Sequence, residues 1–237
     1  MRDRTQTQCM TRGFVVWLTG LSGSGKTTIA RTVEHAFKSM NRCVVVLDGD
    51  EIRKHLSPDL GFSKSDRELN VQRVAYLSHL LSKSGIITIV ALISPFRRSR
   101  DNARKIIGDF VEVWVKCSLN TCKERDPKGL YAKVVNGEIT NFTGIDQDYE
   151  IPFKPELILD TDKETSFECS QKIMQELEVL GYLDTSIARS RSGNGSSNYS
   201  ITKTATASRS PGCENGPIPG PAFNALKHDA LVIRKRD

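Results

Sequence analysis

The sequence predicts an α/β fold, a parallel five-stranded sheet with helices on both faces, and three observations carry it. Strand-like apolar runs alternate with helix-like ones from residue 14 to about 184. The stretch Gly20–Thr27, GLSGSGKT, fits the phosphate-loop pattern G-x-x-x-x-G-K-[ST] and joins the first strand to the first helix. The chemically suggestive residues also follow strands: the phosphate loop after the first, Asp48 and Asp50 after the second, Ser94 after the third. Ligands bind at that edge of a parallel sheet.

Residues 1–12 are polar, lack the apolar core of a secretion signal, and are read as a loose leader. Phe14–Thr19 is the first strand, and the helix after it runs from Lys26 to about Met40. Cys43–Leu47 is a continuous apolar run, as expected of a strand covered on both faces. Ser65 and Glu68 form a capping-box pattern opening a helix to Lys83, with Val74, Leu77 and Leu81 on one face and Gly85 as its stop. Ile86–Leu92 is the third strand, Arg98–Ile107 a short basic helix, Phe110–Val115 the fourth strand and Leu119–Arg125 a short helix. Residues 126–152 are polar and show no period. Glu156–Leu159 is the fifth strand. A second capping box, Thr165 and Glu168, opens a helix that turns Cys169, Ile173, Leu177 and Leu180 inward and stops at Gly181. The folded domain is thus expected over 13–184. Residues 185–237 are rich in Ser, Gly, Thr and Pro and read as a disordered tail, with a loosely helical stretch from Phe223 to Arg236.

Composition narrows the class. The chain has 237 residues, 38% hydrophobic and 26% charged, which suits one globular domain with a polar appendage. The longest apolar stretch, Ile86 to Ile93, is too short to span a bilayer. The net charge of +6 is concentrated in residues 185–237, which carry eight Lys/Arg and three Asp/Glu, so the rest is nearly neutral and nucleic acid is not an expected partner. Six cysteines, Cys9, Cys43, Cys117, Cys122, Cys169 and Cys213, form no C-x-x-C pair, and most read as small buried hydrophobes in a reducing, cytoplasmic compartment.

The phosphate loop explains its own spelling. Gly20, Gly23 and Gly25 permit a tight turn, and the backbone of Gly20, Leu21, Ser22, Gly23, Ser24 and Gly25 cradles phosphate ahead of Thr27 and Thr28. Lys26 reaches the β- and γ-phosphates, and Thr27 offers its hydroxyl to Mg²⁺. Asp48 and Asp50 suit a kinase, which needs one carboxylate toward the acceptor hydroxyl and one toward the metal; an ordinary Asp-Gly turn is the plainer alternative. Arg53, Phe62, Arg67, Asn70 and Arg73 join cations to an aromatic plate, as an anionic acceptor carrying a base requires, although such arginines are often only solvated charge. Ile93 and Ser94 sit where substrate-lining residues belong. Arg125 and Lys128 open a long segment, about 125–150, that suits a water-excluding lid.

Taken together, GLSGSGKTT, LDGDEIR, GFSKSDRELN, ISPFRRSRDNAR, ERDPKGLY and NFTGIDQDYE closely resemble the adenylylsulfate kinase family, over about Phe14 to Leu183. The resemblance implies a P-loop kinase fold and transfer of the γ-phosphoryl of MgATP to the 3′-hydroxyl of adenylyl sulfate, yielding 3′-phosphoadenylyl sulfate and ADP. It makes Asp50 the base beside Asp48, and Arg53, Arg67 and Asn70 acceptor-binding groups. Phe62 and Phe142 become an adenine sandwich, Ile93 and Ser94 acceptor-site lining, and Lys128 a lid residue. In some family members the serine matching Ser94 becomes phosphorylated. The family also implies a homodimer and association with ATP sulfurylase. Three positions depart from the usual motifs, Glu51, Leu69 and Gln72, and put affinity or the helix surface in question. Two other readings stay open here: a kinase of another small molecule, such as a nucleoside or sugar, and a catalytically reduced interaction module.

Overall fold

The computed structural model describes residues 12–183. The expected leader, the tail, Cys9, Cys213 and the loosely helical stretch at Phe223–Arg236 lie outside these residues, apart from Arg12. Five strands, β1 (Val15–Thr19), β2 (Val44–Asp48), β3 (Ile87–Ala91), β4 (Phe110–Lys116) and β5 (Leu157–Asp160), form one sheet in the order β2-β3-β1-β4-β5. Every pairing is parallel. The helices are α1 (Lys26–Ser39), α2 (Gly49–His55), α3 (Lys64–Lys83), α4 (Arg97–Ile107), α5 (Leu119–Arg125), α6 (Leu130–Val135) and α7 (Ser166–Val179).

Side chains alternate across the sheet, so β1 feeds two cores. Val16 and Leu18 join Ile29, Val33 and Phe37 of α1 and Cys169, Ile173 and Leu177 of α7. Val15 and Trp17 face the other way, onto Val71, Val74 and Ala75 of α3 and Ala103 and Ile107 of α4. Both faces of the central strand are therefore dry, as parallel strands require.

Four local expectations are corrected. β2 is an edge strand and Val44–Leu47 are only half-buried, while Cys43 lies just outside it and is exposed. An apolar run reports side-chain type, not how many neighbours the strand finds. The α3 cap is Ser63, whose Oγ accepts from the Asp66 amide, so the start lies two residues ahead of the Ser65–Glu68 pattern. Its buried face is Val71, Val74, Ala75 and Ser78, with Leu77 and Leu81 at the edges. Leu180 is 41% exposed because it is the C-cap of α7, where the helix ends. The Thr165–Glu168 capping box forms as expected. Two helices lacked a sequence period. α2 has seven residues and α6 six, too few to show one.

Ile173 is 1% exposed between α7 and the sheet. Ile173→Ala is expected to lower unfolding free energy by about 2–5 kcal/mol, read from urea denaturation, with the KM for nucleotide unchanged.

Candidate active site

The C-terminal ends of the strands open into one cleft of about 1320 Å³. At one end β1 runs into the phosphate loop. A Cβ on Gly20 would lie 2.5 Å from the Val115 carbonyl oxygen, and one on Gly23 2.9 Å from that of Cys122, so side chains are excluded where the loop crosses β4 and α5. The loop carbonyls are engaged by the protein. Lys26 Nζ donates to Gly20 O and Leu21 O at 2.9 and 2.6 Å, Tyr131 Oη to Ser22 O at 3.0 Å, and Thr161 Oγ1 to Ser24 O at 3.0 Å. An anion consequently meets the amide side of the loop and the N-terminus of α1. Burial disfavours the Lys26 ammonium and brings its pKa down to about 8.

Asp48, the last residue of β2, links this loop to the next element. Its Oδ2 accepts from Thr27 Oγ1 at 2.7 Å, and its Oδ1 accepts from the Asp50 amide at 3.0 Å, capping α2. One turn along α2 the chain reaches Arg53. Arg53 donates to Gly61 O at 2.6 Å and lies 4.9 Å from the centroid of the exposed Phe62 ring. Arg67 of α3 lies 5.4 Å from the same ring and donates to Phe62 O and to Asn141 O. Burial lowers the pKa of both guanidinium groups, and each faces the cleft. Asn70 is 5% exposed, also lines the cleft, and its Oδ1 has no protein partner.

Within residues 126–152, Pro127, Lys128, Leu130 and residues 138–143 line this cleft, and the segment includes α6, more order than its composition implied. Phe142 is 8% exposed and meets Tyr131 of α6 edge-on, with centroids 4.9 Å apart. Lys128 forms an ion pair with Asp50, both about half exposed. Such a pair contributes roughly 0–1 kcal/mol, little enough to be exchanged for substrate contacts.

Ser94 follows β3 at φ 39°, a left-handed backbone uncommon for a residue with a side chain. Its Oγ accepts from buried Trp17 Nε1 at 3.0 Å. Ile93 lines the cleft beside it.

Of the residues singled out in the sequence, Ser22, Gly23, Gly25, Lys26, Thr27, Thr28, Asp48, Asp50, Arg53, Phe62, Arg67, Asn70, Ile93, Ser94, Arg125, Lys128 and Phe142 share this cleft. Gly20, Leu21 and Ser24 shape the loop without lining it. Arg73 does not join the group. It pairs with Asp59 on the surface at 2.6 and 2.7 Å. Glu51, Leu69 and Gln72 are exposed and absent from the lining, so these departures fall on the helix surfaces. Sequence reasoning missed Thr161, Thr165 and Thr143, which line the cleft. Thr161 was findable, because it follows β5 at the ligand edge. Arg125 donates to its carbonyl at 2.6 Å.

A parallel sheet ending in a phosphate loop, with a carboxylate beside the loop's threonine, defines a P-loop kinase. The family model for adenylylsulphate kinase matches residues 12–160. The chain belongs to that family and is an enzyme of that type. It is 51% identical over 173 residues to the adenylyl-sulfate kinase of Halothermothrix orenii, covering 73% of this chain and 94% of that one. Among solved structures it resembles the Mycobacterium tuberculosis APS kinase CysC in complex with AMPPNP and APS, with 44% identity, a TM-score of 0.69, and coverage of 71% and 99%. It also resembles a hexameric APS kinase from Thiobacillus denitrificans, at 35% identity and a TM-score of 0.57, over 73% of this chain and 30% of that one.

The Lys26 pKa sets a pH limb. Below about 8 the side chain is charged and available to phosphate, and above it the charge is lost. The kcat/KM for ATP is expected to fall as pH rises through this value, and the residual activity of Lys26→Arg, whose guanidinium stays charged, should lack that limb.

Proposed function

We propose that this enzyme transfers the γ-phosphoryl of MgATP to the 3′-hydroxyl of adenylyl sulfate, releasing 3′-phosphoadenylyl sulfate and ADP. The observation that carries the reading is the continuity of one cleft, from the phosphate loop through Asp48 and Asp50 to Arg53, Phe62, Arg67 and Asn70. A nucleotide triphosphate and an anionic, base-bearing acceptor therefore meet at the strand edge.

In this reading the loop from Gly20 to Thr28 holds the ATP phosphates. Arg53 and Arg67 hold the acceptor's anhydride, Asn70 uses its unpaired Oδ1 on the acceptor, and Phe62 and Phe142 enclose the adenine. Ile93 and Ser94 shape the acceptor wall, and Ser94 Oγ, which accepts from Trp17, keeps its own proton to donate. Thr27 and Asp48 fit Mg²⁺, because their oxygens sit 2.7 Å apart beside the loop. Magnesium takes one or two protein oxygens plus phosphates rather than an all-protein cage. The ion supplies charge neutralisation on the transferring group. Asp50 accepts the acceptor's proton, and Lys128 leaves Asp50 to stabilise charge on the phosphoryl oxygens. The segment 125–150 excludes water. Catalysis is then mostly positioning and electrostatics.

A domain over 13–184 and a cytoplasmic site of action belong to the same proposal, the latter supported by unpaired thiols at Cys43, Cys117, Cys122 and Cys169. So do a homodimer and association with ATP sulfurylase, which family membership supports and light scattering and co-purification test. No helix among the described residues is long and apolar enough to cross a membrane.

ADP release that depends on adenylyl sulfate is the deciding measurement, and phosphorylation of only nucleosides or sugars from a panel would overturn the reading. Lys26→Ala is expected to abolish turnover. Asp50→Asn is expected to lower kcat by about 10²–10⁴-fold with the KM for ATP within about twofold, and near-normal turnover would remove Asp50 from the base role.

A further inference from the structure

Resting on the acceptor-site reading above, we propose that Arg100 is a positioning residue for adenylyl sulfate: it holds the acceptor loop and the far stem of the lid in one geometry while touching neither substrate. Arg100 is 2% exposed and does not line the cleft. Its three nitrogens go to three different segments. Nε donates to Glu112 Oε1 on β4 at 2.7 Å, Nη1 to Ser94 O at 2.6 Å, and Nη2 to Glu150 O at 2.6 Å. The guanidinium carbon also stands 5.8 Å from the Tyr149 ring centroid. One planar cation thus ties the sheet, the acceptor loop and the end of the lid together.

What Arg100 holds is conformationally demanding. Ser94 carries φ 39°, and the carbonyl that follows from this backbone is the one Arg100 binds. The contacts around it form a set. Trp17 Nε1 donates to Ser94 Oγ, and Thr19 Oγ1 donates to Ile93 O at 2.7 Å. With its own proton so used, Thr19 Oγ1 accepts from Tyr149 Oη at 3.0 Å. Burial pushes the Tyr149 phenol up to about 12, so it keeps the proton it donates. The Glu150 amide donates to Pro95 O at 2.9 Å, and Arg97 adds exposed bonds to the Glu150 carboxylate and to Ile151 O. Loop 93–95 and stem 149–151 are therefore joined through these bonds, and Arg100 is the buried charge at their centre. Lysine, with a point charge and no planar fork, cannot serve three diverging acceptors in this way.

The phosphate-loop carbonyls have their own donors in Lys26, Tyr131 and Thr161, and Thr19, just ahead of Gly20, joins the loop to this set without bonding Arg100. Loss of the Arg100 fork is therefore expected to act on one substrate. Removing it also leaves Glu112 without a close partner, although Arg104 Nη2 still lies 3.4 Å from Glu112 Oε2. Two variants separate these effects: Arg100→Lys, and Arg100→Met combined with Glu112→Gln, which removes the buried carboxylate charge. Both are compared with wild type by circular dichroism, thermal melting and two-substrate kinetics. The expected result is a folded protein whose KM for adenylyl sulfate rises about tenfold or more, as loss of hydrogen bonds from a charged group entails, with the KM for ATP within about twofold. An unchanged KM for adenylyl sulfate in a folded variant overturns the inference. So does an equal rise for both substrates, or failure of both variants to fold, since Arg100 would then serve the fold as a whole. A wild-type enzyme without adenylyl-sulfate-dependent ADP release overturns the functional reading and this inference with it. Normal wild-type turnover with insensitive variants overturns the inference alone.

Discussion

The Asp48 carboxylate is the joint on which the site depends. One oxygen accepts the Thr27 hydroxyl at the start of α1 and the other caps α2 through the Asp50 amide. Both partners follow the C-terminal end of a parallel strand, so the sheet sets the distance between them. A side chain that caps one helix while orienting the hydroxyl of another cannot move without disturbing both. With Asp48 only 7% exposed, water is a poor substitute for either bond. The first turn of α2 then carries Asp50 and its second carries Arg53, so one capping interaction sets the spacing of both from the phosphate loop.

Charge is distributed by how firmly it must be held. The exposed pairs, Lys128–Asp50 and Arg73–Asp59, cost little to break and contribute little to stability. The Arg100–Glu112 pair is buried, with side chains 1% and 8% exposed, and desolvation makes such a pair a weak source of net stability. What the pair contributes is geometric, because the same guanidinium also serves the backbone carbonyls of Ser94 and Glu150. Lys26 is the intermediate case, buried against loop carbonyls with its ammonium held down, and suited to trade them for phosphate oxygens.

Much of the fold was legible because the strands are short, apolar and separated by helix-forming segments. The Thr165 cap was readable from local chemistry alone, and Leu119–Arg125 forms a helix with the bounds expected. Apart from the Ser63 cap of α3, a choice between two nearby serines, the errors share a cause. The edge position of β2, the exposure of Leu180 and the short helices α2 and α6 depend on neighbours or on lengths too small to show a period. At the site, arginine spacing did not separate Arg53 and Arg67, turned into the cleft, from Arg73, turned onto Asp59.

The sequence by itself determined the chemistry on offer: a glycine-rich loop ending in Lys26 and Thr27, two aspartates after an apolar run, and motifs whose order resembles one kinase family. These are local facts, since backbone freedom, a lysine and a hydroxyl must be adjacent to cradle phosphate. Only the tertiary structure decided which residues meet. Residues 74 positions apart, Arg67 and Asn141, became partners, and so did Arg100 and Glu150, 50 apart. Parallel crossovers bring strand ends together regardless of their distance in the chain, and no local pattern records that convergence.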